Sequence, residues 1–360
     1  MSDAYINKIA TALPPHDVHQ AFGAFAQGLL KDDPRKATLF GRMAEKSGIG
    51  HRFSYVTPLA DVSGADLDGD AFYRLGAFPT TARRMQAYEK VAPLLATDVV
   101  EKLLAGEDRA AITHLIVTSC TGFYAPGLDL DLVERCGLRP DIERSTIGFM
   151  GCYAAINGLK LARHIVRSEP TARVLALNLE LCTLHLQQSQ DLNEILSFLL
   201  FGDGAAAALI SADPVGAEMQ SFHAALVPDT RALIRWNIRD QGFDMVLSGG
   251  VPAAILSGLA GAQGTILGNR TVADIDLWAV HPGGRTVLDA VQHAFALPPS
   301  ALAASRGVLY DYGNMSSGTV MFVLDRLMRQ SANPATGGQG CAMAFGPGLV
   351  AETMRFQLAA

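Results

Sequence analysis

Two strand-to-helix spacings constrain this chain more than any other feature of it. The apolar β-type run HLIVTSC ends at Cys120, and a helical pattern opens at Cys152, 32 positions later. The run DLWAV, residues 276–280, ends against His281, and a second helical pattern follows Asn314, 33 positions later. Matched spacing of strand end and helix start predicts an internal duplication, with a first half over residues 1–213 carrying Cys152 and a second over 214–360 carrying His281 and Asn314. Alternating strands and helices predict an α/β architecture, and in such folds ligands bind beyond the carboxyl ends of strands. That is where Cys120 and His281 fall, with Cys152 and Asn314 at the helix starts.

The stretch STIGFMGCYAAINGLKLARHIV, residues 145–166, is the most informative single segment. Ala155, Ile156, Leu159, Ala162, Ile165 and Val166 follow the three-and-four spacing of a helix with one buried face, and Ser168-Glu169-Pro170 is a stop signal. Cys152 then stands at a helix N-terminus. Unpaired N–H groups there, together worth roughly half a positive charge, favour thiolate over thiol. A lone free cysteine is more often a small buried hydrophobe. The imidazole of His281 in WAVHPGG and the carboxamide of Asn314 in YGNMSSG change the balance. A thiol, an imidazole and a carboxamide at the ends of regular elements are the parts of a cysteine acyltransferase or a cysteine hydrolase.

Elsewhere, residues 4–12 read as a strand, 18–30 as a helix, and 72–104 as helical over much of their length. RVLALNLEL from Arg173 reads as a buried strand, and FGDGAAAALIS from Phe201 as a close approach to another backbone or a tight hairpin. FHAALV from Phe222 and VMFVLDRLMR from Val320 continue the alternation in the second half. Lys31, Arg35, Lys36, Arg42, Lys46 and Arg52 form a basic cluster in which Arg42 and Lys46 share one helical face. Such a cluster is a solvated face or a seat for phosphates.

A net charge of −6 and a pI near 5.8 argue against a nucleic acid or an anionic membrane as the main partner. No apolar run approaches the roughly 18 residues of a membrane helix, and the N-terminal segment has no leader pattern. The five cysteines, Cys120, Cys136, Cys152, Cys182 and Cys341, are odd in number and lack CxxC spacing. Neither a disulfide framework nor a zinc site is predicted, and a reducing cytoplasm is the expected location.

Taken in order, GFMGCYAAINGLKLA, FGDGAAA, WAVHPGG, YGNMSSG and FGPGL resemble the motifs of type III polyketide synthases, the chalcone-synthase-like branch of the thiolase fold. The resemblance implies a five-layered αβαβα fold of two similar halves and a homodimer. It implies an acyl-CoA starter extended by decarboxylative condensation with malonyl-CoA and closed to a pyrone, resorcinol or phloroglucinol, with no metal or organic cofactor. By position, Cys152 is the acyl-carrying nucleophile, His281 and Asn314 are its catalytic partners, and Phe201 is an aromatic wall at the mouth of the site. Arg42 and Lys46 fall on positions that seat coenzyme A phosphates, whereas the family's further lysine just upstream is Leu39 here.

Other substitutions fall in the substrate pocket. Met245 stands where plant members carry a second aromatic gatekeeper, Cys120, Cys182 and His185 occupy positions that are often threonine, and Ser316 joins the same pocket. Ala125 replaces a methionine that reaches into the partner's cavity. Two other readings use the same three residue types. A papain-like hydrolase shares the order Cys152, His281, Asn314, but the aromatic-flanked cysteine signature of that family is missing from this sequence. A ketoacyl-carrier-protein synthase that initiates fatty-acid chains has a Gln-Ala-Asn run where HPGG stands here.

Overall fold

Runs of residues buried on both faces dictate the centre of the molecule, for which a computed structural model describes residues 3–62, 66–330 and 338–359. Its longer strands are β1 (Tyr5–Ala12), β2 (His114–Ser119), β3 (Glu143–Gly148), β4 (Val174–Leu181), β5 (Asp203–Ser211), β6 (Ala217–Leu226), β7 (Ile234–Arg239), β8 (Gly242–Leu247), β9 (Leu277–Val280), β10 (Gln339–Gly346) and β11 (Val350–Leu358). Every residue of β2, β4 and β5 is buried, as expected of strands covered on both sides. Nine strands form one sheet in the order β9-β10-β11-β6-β1-β5-β4-β2-β3, while β7 and β8 form a separate hairpin.

The strand directions repeat. β1 runs antiparallel to β5, β5 antiparallel to β4, and β4 parallel to β2. In the second half β6 runs antiparallel to β11, β11 antiparallel to β10, and β10 parallel to β9. The two series join where Tyr5 and Ile6 of β1 pair with Glu218 and Ala217 of β6.

The longer helices are α1 (His19–Leu29), α2 (Pro34–Glu45), α3 (Thr81–Leu103), α4 (Leu128–Arg135), α5 (Ala154–Ser168), α6 (Val251–Leu267), α7 (Arg285–Ala294), α8 (Ala303–Tyr312) and α9 (Thr319–Gln330). Ile156 and Leu159 of α5 and Val323 and Leu324 of α9 share one core with Ala206 of β5 and Ala344 of β10, so these two helices lie between the halves of the sheet. Val99 of α3 and Leu132 of α4 pack on the outer face of the first half, and Leu259 of α6 and Leu288 of α7 on that of the second. Helix, sheet, helix, sheet and helix follow one another, the layering of a thiolase-like fold. Among the described residues no helix is long and apolar enough to cross a membrane.

Two expectations are refined. Helix α3 begins only at Thr81, because the Asp68 carboxylate accepts from the N–H groups of Asp70, Phe72 and Tyr73 and holds that backbone in a turn. FGDGAAAALIS leads into the central strand β5 and is not a hairpin; a Cβ on Gly202 would lie 3.0 Å from the Tyr312 carbonyl oxygen, so the close approach to another backbone is the correct reading.

Candidate active site

Cys152 is delivered by a backbone that only certain residues can follow. Phe149 and Gly151 take φ of 54° and 70°, and Gly151 to Tyr153 form a 3-10 turn that runs directly into α5. A Cβ on Gly151 would lie 2.3 Å from Pro347 Cδ, which ties GFMGC to FGPGL across the two halves. His281 follows β9, its N–H donating to the Met343 carbonyl at 2.8 Å. Asn314 forms a bridge with Phe201: its N–H donates to the Leu200 carbonyl and its own carbonyl accepts from Gly202. The Asn314 carboxamide donates to the Gly283 carbonyl at 3.3 Å and accepts from the Ser316 N–H at 2.8 Å. Ser316 is held at φ 47°, a strained value for a non-glycine residue beside the thiol.

Ser316 lines the same cavity as Cys152, and the Ser316 and Asn314 side chains act on the Cys152 thiol to hold it down. A Cβ on Gly283, whose carbonyl Asn314 holds, would lie 3.7 Å from His281 Nε2. The His281 ring is buried, and neither of its nitrogens has a hydrogen-bond partner among the described residues. Burial pushes the Cys152 thiol up to about 12, against the pull of the Ser316 and Asn314 donors, and pushes the His281 imidazole down to about 3. Burial therefore opposes the depression of the thiol expected from the helix terminus.

Glu180 is the group sequence reasoning missed. Its buried carboxylate accepts from Cys120 N–H, Cys120 Sγ, Thr121 Oγ1 and Ser317 Oγ at 3.0, 3.3, 2.8 and 2.6 Å, and burial raises its pKa. Burial and this carboxylate push the Cys120 thiol well up, so Cys120 is a neutral donor in the wall. A lone acid inside the otherwise apolar run RVLALNLEL was the available signal. Arg52 also departs from its expected place in the basic cluster: it is fully buried and donates to the Phe201 carbonyl at 2.9 Å and to His19 Nδ1 at 3.0 Å.

Cys152, Cys120, Cys182, His185, Phe201, Met245 and Ser316 line one narrow cavity of about 40 Å³. A larger groove of about 640 Å³ is lined by Leu39, Arg42 and Lys46 and by Gly283 and Arg285. Gly283 and Leu200 belong to this groove and also bond to Asn314, so the groove ends at the reacting groups. Arg285, which sequence reasoning left out, opens α7 after HPGG.

His185 and His281 are both buried and both held near 3, chiefly by burial. Unfolded imidazoles titrate near 6.5, so between these values the unfolded chain binds more protons and stability falls as pH drops. Each contributes a loss of about 1.4 kcal/mol per pH unit below about 6.5. Thermal melting should fall from pH 6.5 to 5.0, and less steeply in His185→Gln; parallel slopes would contradict this assignment.

Two similar halves enclosing a thiol, an imidazole and a carboxamide define a thiolase-like acyl-transfer enzyme. Residues 2–214 match the family model for the N-terminal domain of chalcone and stilbene synthases, and residues 218–358 that for the C-terminal domain. The chain is 35% identical to the alpha-pyrone synthesis polyketide synthase-like Pks18 of Mycobacterium tuberculosis, over 99% of this chain and 91% of that protein. It is 33% identical to bisdemethoxycurcumin synthase of Oryza sativa subsp. japonica, over 98% and 91%. PKS-I of the brown alga Ectocarpus siliculosus superposes with a TM-score of 0.89 at 31% identity over 99% of both chains. The C-terminal type III polyketide synthase domain of Steely1 from Dictyostelium shares the fold, with a TM-score of 0.90 at 24% identity over 99% and 100%. The chain belongs to the chalcone and stilbene synthase family and is a type III polyketide synthase, an acyltransferase.

Proposed function

We propose that this synthase loads an acyl-CoA starter on Cys152, extends it by decarboxylative condensation with malonyl-CoA, and releases a cyclised product. The observation that supports the proposal is the buried His281 ring, with both nitrogens unpartnered among the described residues, together with an Asn314 side chain that bonds to the Gly283 carbonyl two residues on from His281 and acts on the Cys152 thiol. As Cys152 attacks the starter thioester, its proton passes to His281 Nε2, the acyl–sulfur bond to coenzyme A breaks, and the departing thiolate takes a proton from water, so that His281 keeps its own until Cys152 is released again. Malonyl-CoA then loses carbon dioxide. The enolate oxygen is met by His281 Nε2–H and the Asn314 NH2, and its carbon displaces Cys152 from the acyl group. A donor fixed in advance at such an oxygen is worth about 3 kcal/mol. No step calls for a metal or organic cofactor. The relative named for alpha-pyrone synthesis favours lactone closure. Product mass spectrometry on a panel of acyl-CoA starters with malonyl-CoA tests the whole reading; absence of any condensed product would overturn it.

Arg42, Lys46 and Arg285, which line the same groove, are proposed to hold coenzyme A phosphates. They act on binding, since the phosphates lie far from the reacting carbon. Arg42→Ala and Arg285→Ala should each raise KM for malonyl-CoA about tenfold and leave kcat intact. A fall in kcat at saturation with unchanged KM would contradict this.

Aliphatic starters are proposed over aromatic ones, because Met245 is unbranched and yields where a ring does not. kcat/KM should favour a medium-chain acyl-CoA over coumaroyl-CoA, and Met245→Phe should narrow the range; equal values would remove the preference.

A homodimer is proposed through β3, the sheet edge, whose first four residues are exposed, together with the exposed Phe123 and Met150 nearby in the chain. Light scattering should give twice the chain mass, and Phe123→Asp should lower it.

A further inference from the structure

The β7–β8 hairpin forms one wall of the cavity. Met245 pairs with Trp236 and Leu247 with Ile234, and cross-strand partners share a face. Ile234, Trp236 and Met245 all line the cavity. The tip of the hairpin is tied to α3, with Gly242 N–H donating to Thr81 Oγ1 at 2.7 Å and Thr81 N–H to the Asp240 carbonyl at 2.8 Å. Its base is closed by Ser248 N–H donating to the Leu233 carbonyl at 2.9 Å. Between tip and base, at Trp236 in mid-strand and at Phe243 one residue from the Gly242 anchor, the hairpin is held differently.

There the loop after β2 supplies two adjacent carbonyls. Trp236 Nε1–H donates to that of Cys120 at 2.8 Å, and His185 Nε2–H to that of Thr121 at 2.7 Å. His185 Nδ1 in turn accepts from the Phe243 N–H of β8 at 3.2 Å, which fixes the tautomer. Its ring stacks on Phe243 at 4.1 Å and 14°, and meets Trp236 edge-on at 5.4 Å. The ring thus bridges the loop to the hairpin.

We propose that His185 is a positioning residue that staples the middle of the β7–β8 hairpin over the cavity through its two ring nitrogens and thereby limits starter length. A cavity of about 40 Å³ has room for about three waters, so a long acyl chain needs this wall to give. The stapled wall resists, and short starters are favoured.

Two variants separate the staple from the bulk of the ring. His185→Phe keeps the aromatic stack and loses both hydrogen bonds; His185→Gln keeps a donor and an acceptor and loses the ring. In His185→Phe, exchange of the Phe243 amide should quicken at least tenfold, and the ratio of kcat/KM for palmitoyl-CoA over octanoyl-CoA should rise about tenfold or more, within the range that pocket changes produce. His185→Gln should stay close to the unaltered protein in both. An unaltered ratio and exchange in His185→Phe, or equal changes in both variants, would overturn the proposal. Should His185→Phe fail to fold, Trp236→Phe removes the other middle anchor and must raise the same ratio. The activity arm rests on the function proposed above, whereas amide exchange does not: a protein that condensed no starter would refute that function and still report on the staple.

Discussion

Asn314→Ala should lower carbon dioxide release from malonyl-CoA by about 100-fold or more, while a labelled starter still acylates Cys152. The Asn314 side chain already has one hydrogen placed against the Gly283 carbonyl at 3.3 Å and its oxygen committed to the Ser316 N–H. Its second amide hydrogen is the one available to the sulfur or to an enolate oxygen beside it. Removing the carboxamide therefore takes away a donor aimed at charge that develops only during decarboxylation, together with one of the groups that hold the thiol down. The first loss acts on kcat for the extender; the second acts weakly on loading, because the Ser316 donor remains. Equal losses in loading and decarboxylation would contradict this division.

Gly151→Ala should abolish condensation, by about 100-fold or more, with a stability loss of about 1–3 kcal/mol. A side chain at φ 70° is strained whatever surrounds it, and here the new Cβ meets the Pro347 ring at 2.3 Å. Either the 3-10 turn carrying Cys152 or the FGPGL loop must shift. Displacement of a reacting group by about 1 Å costs about 100-fold in rate. Melting temperature and starter loading, measured together, check the result; near-normal loading would show that the turn tolerates the Cβ.

Element ends were the legible part of this fold. Cys120 after β2, His281 after β9 and Cys152 before α5 stand where apolar runs stop and glycine or proline turns begin, and those are signals a linear sequence carries. The β7–β8 hairpin was also accessible: Ile234, Trp236 and Ile238 alternate with Arg235, Asn237 and Arg239, and the Asp240-Gln241 turn follows. What could not be read were charges whose partners lie far along the chain. Arg52 looks like one more cation of a basic cluster, and only its bonds to Phe201 and His19 mark it as internal. Glu180 and His185 likewise gain meaning from Cys120, Thr121 and Phe243, which reach them through the fold and not through spacing. The burial that raises the Cys152 thiol was hidden from the same cause, since burial is a property of the packed protein.

The central proposal is that Cys152 carries the acyl chain while His281 and Asn314 hold the enolate. Cys152→Ala, given a labelled starter-CoA and labelled malonyl-CoA, tests it most directly, with intact-protein mass and carbon dioxide release read in one sample. The account predicts no acyl adduct, no polyketide, and continued decarboxylation. An acyl adduct on the variant, or loss of decarboxylation in a protein that still melts cooperatively, would contradict it.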